Sequence, residues 1–181
     1  MHIEFEVRIL EIDYDDIIRR LDGIGAKFEW DLIQKRYTYD FKPRDSKRWI
    51  RLRTNGKTTT LTFKNIIKSA IDGTEEEEIE VSDFDVCHSM LSKLGYEPKA
   101  FQENRRIQYN YKGVEIDIDF WPFIPTYLEI EGRSEEEVYE VVRALGFSES
   151  DVTALDVDSI YKHYGYNLDD VFELKLEEER K

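Results

Sequence analysis

The first eight residues of the chain alternate between polar and apolar side chains. Ile3, Phe5 and Val7 are apolar, and their neighbours are polar or charged. Strict alternation is typical of a β-strand with one buried face. The same period returns in the segments 34–41, 49–54, 58–64, 76–81, 105–111, 114–120 and 127–133, with a shorter segment at 27–30. The pattern predicts about eight strands of near-even spacing.

Turn and helix signals separate these segments. Asn55-Gly56 is a strong hairpin signal, and Lys112-Gly113 separates a second pair of strands. Apolar residues shift to helical spacing in four places, which predicts helices over 14–21, 82–94, 134–145 and 157–164. The predicted start signals are Ser82 for the second helix and a Ser134–Glu137 capping box for the third. The predicted stop signals are glycines: Gly23 and Gly25 after the first helix, Gly95 after the second and Gly146 after the third. Many short strands with a few helices favour an α+β fold, in which helices pack outside an antiparallel barrel.

The composition of the chain indicates how many domains it forms and where the protein is expected to be located. The chain has 181 residues and 40% hydrophobic content, enough for one domain, here 1–165, followed by an acidic tail, 166–181. A net charge of −14 disfavours binding to a nucleic-acid duplex. Cys87 is the single cysteine, so no intramolecular disulfide forms. The N-terminus does not resemble a signal peptide, and no apolar run is long enough to cross a membrane. We therefore expect a cytoplasmic protein.

The polar faces of the strands are segregated by the sign of their charge. The acidic positions are Glu4, Glu6, Glu76, Glu78, Glu80, Asp117, Asp119, Glu129 and Glu131, and the basic positions are Arg8, Arg51, Arg53, Lys64 and Arg106. One interpretation is a sandwich whose charged face is simply solvated. The other is a barrel whose charged faces point inward, because the opposite faces carry large apolar residues such as Tyr39, Trp49 and Phe63 that helices could cover.

An enclosed set of like charges has chemical consequences. Carboxylates at close range oppose one another's ionisation, and divalent cations would neutralise them. Carboxylate oxygens are the ligands that Mg²⁺ and Mn²⁺ select, and arginine binds phosphate through a two-pronged fork. The combination predicts a polyphosphate site. A P-loop, zinc-binding spacings and a nucleophile elbow are absent from the sequence. His2, His88 and His163 are isolated, which favours solvated or helix-packing roles.

The motifs resemble a known family at this point. Glu4-Phe5-Glu6-Val7-Arg8 resembles the N-terminal E-x-E-x-K signature of the CYTH family, which includes class IV adenylyl cyclases, thiamine triphosphatases and inorganic triphosphatases. The later motifs follow in the family's order: Arg51-Leu52-Arg53, Leu61-Thr62-Phe63-Lys64, Glu78-Ile79-Glu80, Arg105-Arg106, Asp117-Ile118-Asp119 and Leu128-Glu129-Ile130-Glu131-Gly132. The likeness covers residues 1–165 and implies an eight-stranded closed antiparallel β-barrel, a triphosphate tunnel.

The resemblance also implies residue roles. The implied ligands of Mg²⁺ or Mn²⁺ are Glu4, Glu6, Glu129 and Glu131, with Asp119, Asp117, Glu78 and Glu80 orienting a second metal or the basic side chains. The implied triphosphate-binding residues are Arg8, Arg51, Arg53, Lys64 and Arg106. The implied catalytic residues are Glu4, Glu6, Arg8 and Lys64.

Two features depart from the family pattern. Arg8 stands where the signature has lysine, and an arginine cannot act as a base because it stays protonated. No lysine precedes the last helix, since Lys162 lies within it, which weakens a thiamine triphosphatase assignment. The first hypothesis is hydrolysis of tripolyphosphate or a nucleoside triphosphate such as ATP. The second is cyclisation of ATP to cyclic AMP, and the third is a non-catalytic polyphosphate or nucleotide binder. A homodimer is compatible with all three.

Overall fold

The described part of the chain forms an antiparallel sheet that closes on itself. The computed structural model describes residues 2–68 and 70–176. Its strands are β1 (His2–Ile9), β2 (Lys27–Asp40), β3 (Arg48–Thr54), β4 (Thr59–Ile66), β5 (Thr74–Glu80), β6 (Pro98–Tyr111), β7 (Val114–Phe120), β8 (Tyr127–Gly132) and β9 (Glu173–Leu174). The first eight lie in the order β2-β3-β4-β5-β1-β8-β7-β6, and β6 pairs back with β2. The predicted eight-stranded closed antiparallel barrel is confirmed.

Strand β2 is longer and more continuous than its sequence pattern predicts. It runs through the interval between the predicted segments 27–30 and 34–41, where the alternation breaks down. It pairs with β6 from Lys27 opposite Asn110 to Tyr39 opposite Pro98, with a register shift between Phe28 and Trp30. Pairing along this length satisfies the backbone hydrogen bonds of both strands, and that requirement overrides the local side-chain pattern.

Four α-helices within the described ranges lie outside the barrel. They are α1 (Tyr14–Ile24), α2 (Phe84–Lys93), α3 (Glu135–Ala144) and α4 (Val157–His163). The predicted N-cap of α2 at Ser82 is wrong, because the side chain of Asp83 accepts the hydrogen bond from the Val86 amide at 2.8 Å. At the end of α1, Gly25 takes the left-handed conformation with φ of 74°, whereas Gly23 lies inside the helix.

The N-terminus of α3 carries a capping box displaced by one residue. The Ser134 hydroxyl accepts from the Glu137 amide at 3.3 Å, as predicted. The Glu137 carboxylate, however, accepts from the amide of Arg133 at 3.1 Å rather than from Ser134. Two amide donors at the start of the helix are still satisfied, so the local signal places the helix start correctly.

The helices cover most of the outer apolar face of the barrel. Helices α1 and α3 contribute Leu21 and Val142 to the largest core cluster, which includes Ile116 and Ile130 from the sheet. Helix α2 packs Leu91 against the strands β2 and β3. The prediction that Trp49 belongs to the outer face is wrong. In the β3–β4 register Trp49 is opposite Lys64 and has the parity of the inward arginines of β3.

The C-terminal segment docks on the barrel. Strand β9 pairs in parallel with β6, and the Leu174 side chain is only 2% exposed. It joins a second core cluster with Trp121, Tyr127 and Tyr161. The predicted acidic tail, 166–181, is thus attached to the barrel through β9, and its residues 177–181 lie outside the described residues. None of the helices in the described ranges has the length and apolar character needed to cross a bilayer.

Candidate functional site

Charged side chains surround a cavity of about 530 Å³ inside the barrel. The predicted site residues that line it are Glu4, Glu6, Arg8, Arg51, Arg53, Lys64, Glu78, Glu80, Arg106, Glu129 and Glu131. Asp117 and Asp119 lie behind them, 2% and 0% exposed. The interpretation with inward charged faces is therefore correct, and the solvated-sandwich interpretation is not.

The two ends of this cavity differ. Asn55 and Thr58, from the β3–β4 turn, line one end. Trp121 and Val157 line the other, where α4 packs its Ile160 into the same cluster as Trp121. In an antiparallel barrel the β3–β4 and β7–β8 connections lie at opposite ends. The cavity thus runs between the two ends of the barrel, and α4 covers Trp121 at one of them, with the Tyr161 ring centroid 6.2 Å from that of Trp121.

Arg8 is held by carboxylates and by one backbone carbonyl. Its Nε and Nη2 contact Glu129 at 2.7 and 2.6 Å, and Nη2 also contacts Glu6 at 3.0 Å. Its Nη1 donates to the carbonyl of Leu155 at 2.7 Å. Backbone hydrogen bonds between Arg8 and Thr153, both 2.8 Å, fix the same segment to β1. The arginine therefore fastens the chain before α4 to the tunnel wall.

Arg106 is surrounded in a similar way. Its guanidinium contacts Asp117 at 2.5 Å, Asp119 at 2.5 Å and Glu129 at 2.9 Å. Burial opposes ionisation of Glu129, but the guanidinium groups of Arg8 and Arg106 lower its pKa well below the usual range. Asp117 and Asp119 thus orient a basic side chain, one of the two roles that the family resemblance implies for them.

Lys64 bridges two carboxylates from neighbouring strands. Its Nζ lies 2.9 Å from Glu4 Oε2 and 2.6 Å from Glu76 Oε2. Burial raises the pKa of Glu4 to about 8, against the lowering effect of Lys64, and a hydrogen bond with Glu76 adds to the rise. Both carboxyl groups therefore lie against one ammonium group, and Glu4 is engaged here rather than with Glu129 and Glu131.

Three carboxylates converge on one point of the wall. One oxygen each of Glu6, Glu129 and Glu131 lies within 4.8 Å of the others. Burial, together with the charges of Glu6 and Glu129, raises the pKa of Glu131 to about 8. Glu131 has no ion-pair partner within the described ranges. An oxygen-only donor set with one carboxylate that no cation balances fits a hard divalent metal ion.

The other carboxylates of the predicted metal set lie elsewhere. Glu78 accepts from the hydroxyl of Thr62 at 2.6 Å and faces Arg51 and Arg53 at 3.5 and 3.8 Å. Glu80 lines the tunnel on the same strand, two residues further along. The structure therefore divides the predicted acidic set between the three-carboxylate cluster, the Lys64 and Arg106 ion pairs, and the β5 wall.

Sequence reasoning missed one basic residue of the tunnel. Arg36 on β2 lines the cavity and is only 6% exposed. It lies opposite Arg53 in the β2–β3 register, so it shares the inward parity of that arginine. The alternation in the segment 34–41 contains this signal, since Arg36 and Gln34 lie on the face opposite Tyr37 and Tyr39.

Two of the residues set aside from the sequence, His88 and Cys87, lie outside the tunnel. His88, on α2, stacks on Tyr37 with ring centroids 4.2 Å apart and is hydrogen-bonded to the Tyr39 hydroxyl at 2.8 Å. This is the helix-packing role expected for it. Cys87 is partly buried beside them, and burial raises the pKa of its thiol, which makes it less reactive.

Comparison with known proteins identifies the class to which this barrel belongs. The family model described as the CYTH domain matches residues 2–159, and the chain therefore belongs to the CYTH family. A search of curated proteins found no match.

Solved structures with the same fold come from diverse organisms. A conserved hypothetical protein from Pyrococcus furiosus is 24% identical, with a TM-score of 0.74 over 87% of this chain and 99% of that one. A candidate adenylate cyclase from Vibrio parahaemolyticus is 16% identical, with a TM-score of 0.75 over 89% and 98%. A Hippeastrum protein, described as a candidate adenylyl cyclase with a dominant triphosphatase activity, is 15% identical, with a TM-score of 0.60 over 91% and 96%. At these identities the likeness establishes the fold.

Proposed function

We propose that this protein is a metal-dependent enzyme that hydrolyses a triphosphate, either tripolyphosphate or a nucleoside triphosphate, bound inside the tunnel. The observation that carries the proposal is that one cavity holds both a carboxylate cluster, in which Glu131 has no ion-pair partner among the described residues, and arginines without a close carboxylate. Glu6, Glu129 and Glu131 form a carboxylate cluster, whereas Arg51 and Arg53 make only distant contacts of 3.5 to 3.8 Å with carboxylates. A metal-bound polyphosphate satisfies both sets at once.

The two sets have separate tasks in this proposal. Glu6, Glu129 and Glu131 hold Mg²⁺ or Mn²⁺, which when bound polarises phosphate oxygens and activates water. Arg51 and Arg53 bind the phosphate oxygens and stabilise the negative charge that develops during phosphoryl transfer. Arg8 and Arg106 orient Glu129 from two sides, so that its oxygens face the cluster. In this proposal Arg8 acts first as a positioning residue, and the triphosphate contact that the family resemblance implies for it stays a prediction.

One incubation tests this proposal and separates the possible reactions. The purified protein is mixed with ATP or tripolyphosphate and with Mg²⁺ or Mn²⁺, and orthophosphate, pyrophosphate and cyclic AMP are resolved. We expect orthophosphate release that is lost in Glu131→Gln. Cyclic AMP with pyrophosphate would instead identify a class IV adenylyl cyclase. Tight binding without turnover of either substrate, under either metal, would show a non-catalytic binder and refute the enzyme assignment.

A further inference from the structure

Arg36 differs from the other cations of the tunnel because neutral groups surround its guanidinium. Its Nη2 donates to the side-chain oxygen of Gln34 at 2.9 Å and to that of Asn104, and its Nε has no hydrogen-bond partner. Its Cζ lies 4.6 Å from the centroid of the Trp121 ring. No carboxylate within residues 2–68 and 70–176 forms an ion pair with it. A buried charge in this state is costly unless a counter-ion arrives.

Each of the other five tunnel cations has a carboxylate within 4.0 Å. Arg8, Arg106 and Lys64 contact carboxylates at 3.0 Å or less, and Arg51 and Arg53 contact Glu78 at 3.5 and 3.8 Å. Burial, together with the nearby charges of Arg53 and Arg51, lowers the pKa of Arg36 well below its usual range. The direction of this shift agrees with the geometry. Positive charge accumulates on the wall formed by Arg36, Arg51 and Arg53.

The neutral partners of Arg36 are themselves held in place. The Asn104 amide nitrogen donates to Asp119 at 2.7 Å, which turns its oxygen toward Arg36. Asp119 is in turn fixed by Arg106. The guanidinium is therefore oriented before any ligand binds, and the ordering cost of binding is reduced. Because Trp121 lines the covered end of the tunnel, the oriented guanidinium lies toward that end.

We propose that Arg36 forms a subsite for an unesterified terminal phosphate group at the Trp121 end of the tunnel. The proposal rests on the proposed function, in that the ligand is a triphosphate. It adds that the free phosphate end of the ligand enters the tunnel first. The covered end lies beside Trp121 and Val157, so a substituent on the other end of the ligand must lie at the opposite mouth of the tunnel. The protein should then select tripolyphosphate and nucleoside triphosphates over triphosphates that are esterified at both ends.

Calorimetric titration and thermal melting of one set of variants test this subsite. Arg36→Gln removes the cation, and Lys35→Gln removes a cation from the adjacent, outward-facing position, where the lysine is 54% exposed. We expect Arg36→Gln to weaken tripolyphosphate binding at least about tenfold, as for loss of a charge-assisted hydrogen bond. Lys35→Gln should bind as the wild type does. The ligand-free Arg36→Gln protein should melt no lower than the wild type, because the substitution removes an uncompensated buried charge.

A doubly esterified ligand supplies the second arm of the test. Diadenosine triphosphate lacks a terminal phosphate, so it should bind the wild type much more weakly than ATP does, and Arg36→Gln should not weaken it further. Equal tripolyphosphate affinity in wild type and Arg36→Gln would overturn the subsite while leaving the enzyme proposal intact. A lower melting temperature with unchanged affinity would mean that Arg36 is structural, which also overturns it. Arg36-dependent binding without any turnover would support the subsite and refute the enzyme proposal.

Discussion

Arg8 and Glu129 face each other across the β1–β8 pairing and form a two-pronged ion pair, with Nε and Nη2 of the arginine at 2.7 and 2.6 Å from one carboxylate oxygen. The same guanidinium reaches the carbonyl of Leu155, 147 residues further along the chain. Arg8, which occupies the lysine position of the family's signature, therefore has a structural role. Glu129 belongs both to this ion pair and to the three-carboxylate cluster, so this role bears directly on the proposed metal site.

Two substitutions of Arg8 separate the contribution of its charge to stability from that of its side-chain geometry. Arg8→Lys retains a cation near Glu129 but loses the fork and the contact with Leu155, so we expect it to reduce the free energy of unfolding by about 1 kcal/mol. Arg8→Ala leaves buried carboxylate charge poorly compensated and should cost about 3–5 kcal/mol. Urea denaturation measures both. Equal stability of the alanine variant and the wild type would show that the ion pair contributes nothing to folding.

Metal binding should depend on the carboxylates that converge and not on those that only line the tunnel. Glu131→Gln should weaken Mn²⁺ binding at least tenfold, since it removes one of three clustered ligands, and even the loss of a group that only hydrogen-bonds to a ligand costs about 10–100-fold. Glu80→Gln removes a carboxylate from the β5 wall and should change the affinity little. Calorimetric titration compares the two variants with the wild type. Similar weakening in both would indicate a diffuse acidic field rather than a site at Glu6, Glu129 and Glu131.

The metal-free protein should lose stability as the pH rises from about 4.5 toward 8. Burial raises the pKa of Glu131 from 4.5 to about 8, and that of Asp117 to about 7. In this interval the folded state binds more protons than the unfolded state, so the free energy of unfolding falls with increasing pH. Thermal melting in chelator at several pH values measures the slope.

Two controls accompany the pH series. Glu131→Gln removes one of the groups that take up the proton, so its stability should depend less on pH than that of the wild type. Saturating Mn²⁺ should reduce the slope as well, because metal binding displaces the proton from Glu131. A wild-type stability that rises between pH 5 and 8 in chelator would contradict the expected protonation.

The C-terminal segment should stabilise the covered end of the tunnel. Leu174→Ala removes a side chain that is 2% exposed and should cost about 2–5 kcal/mol in the free energy of unfolding. Phe172→Ala, at a position that is 54% exposed, serves as the control and should cost much less. Denaturation by urea measures the difference. If both variants unfold as the wild type does, β9 does not contribute to the stability of the core.

The sequence by itself determined which residues face the same side of each strand. Strand parity is a local property with a period of two, so Arg51 and Arg53, or Glu129 and Glu131, are grouped without knowledge of their neighbours. The hairpin at Asn55-Gly56 is similarly local. Its Asn55 side chain accepts from the amides of Lys57 and Thr58 at 3.0 and 2.8 Å. The order of the motifs along the chain then indicated the CYTH family, and with it the barrel fold.

Only the tertiary structure decided which charges meet. Barrel closure pairs β2 with β6, and that pairing brings Arg36 beside Asn104, 68 residues away. The register of β1 with β8 joins Glu6 to Glu129 and Glu131, while Glu4, on the same face of the same strand, is held by Lys64. Ion-pair partners depend on register, closure and burial across distant segments, which alternation along one strand does not encode. For the same reason, the burial of Leu174 could not be predicted from the acidic segment that surrounds it.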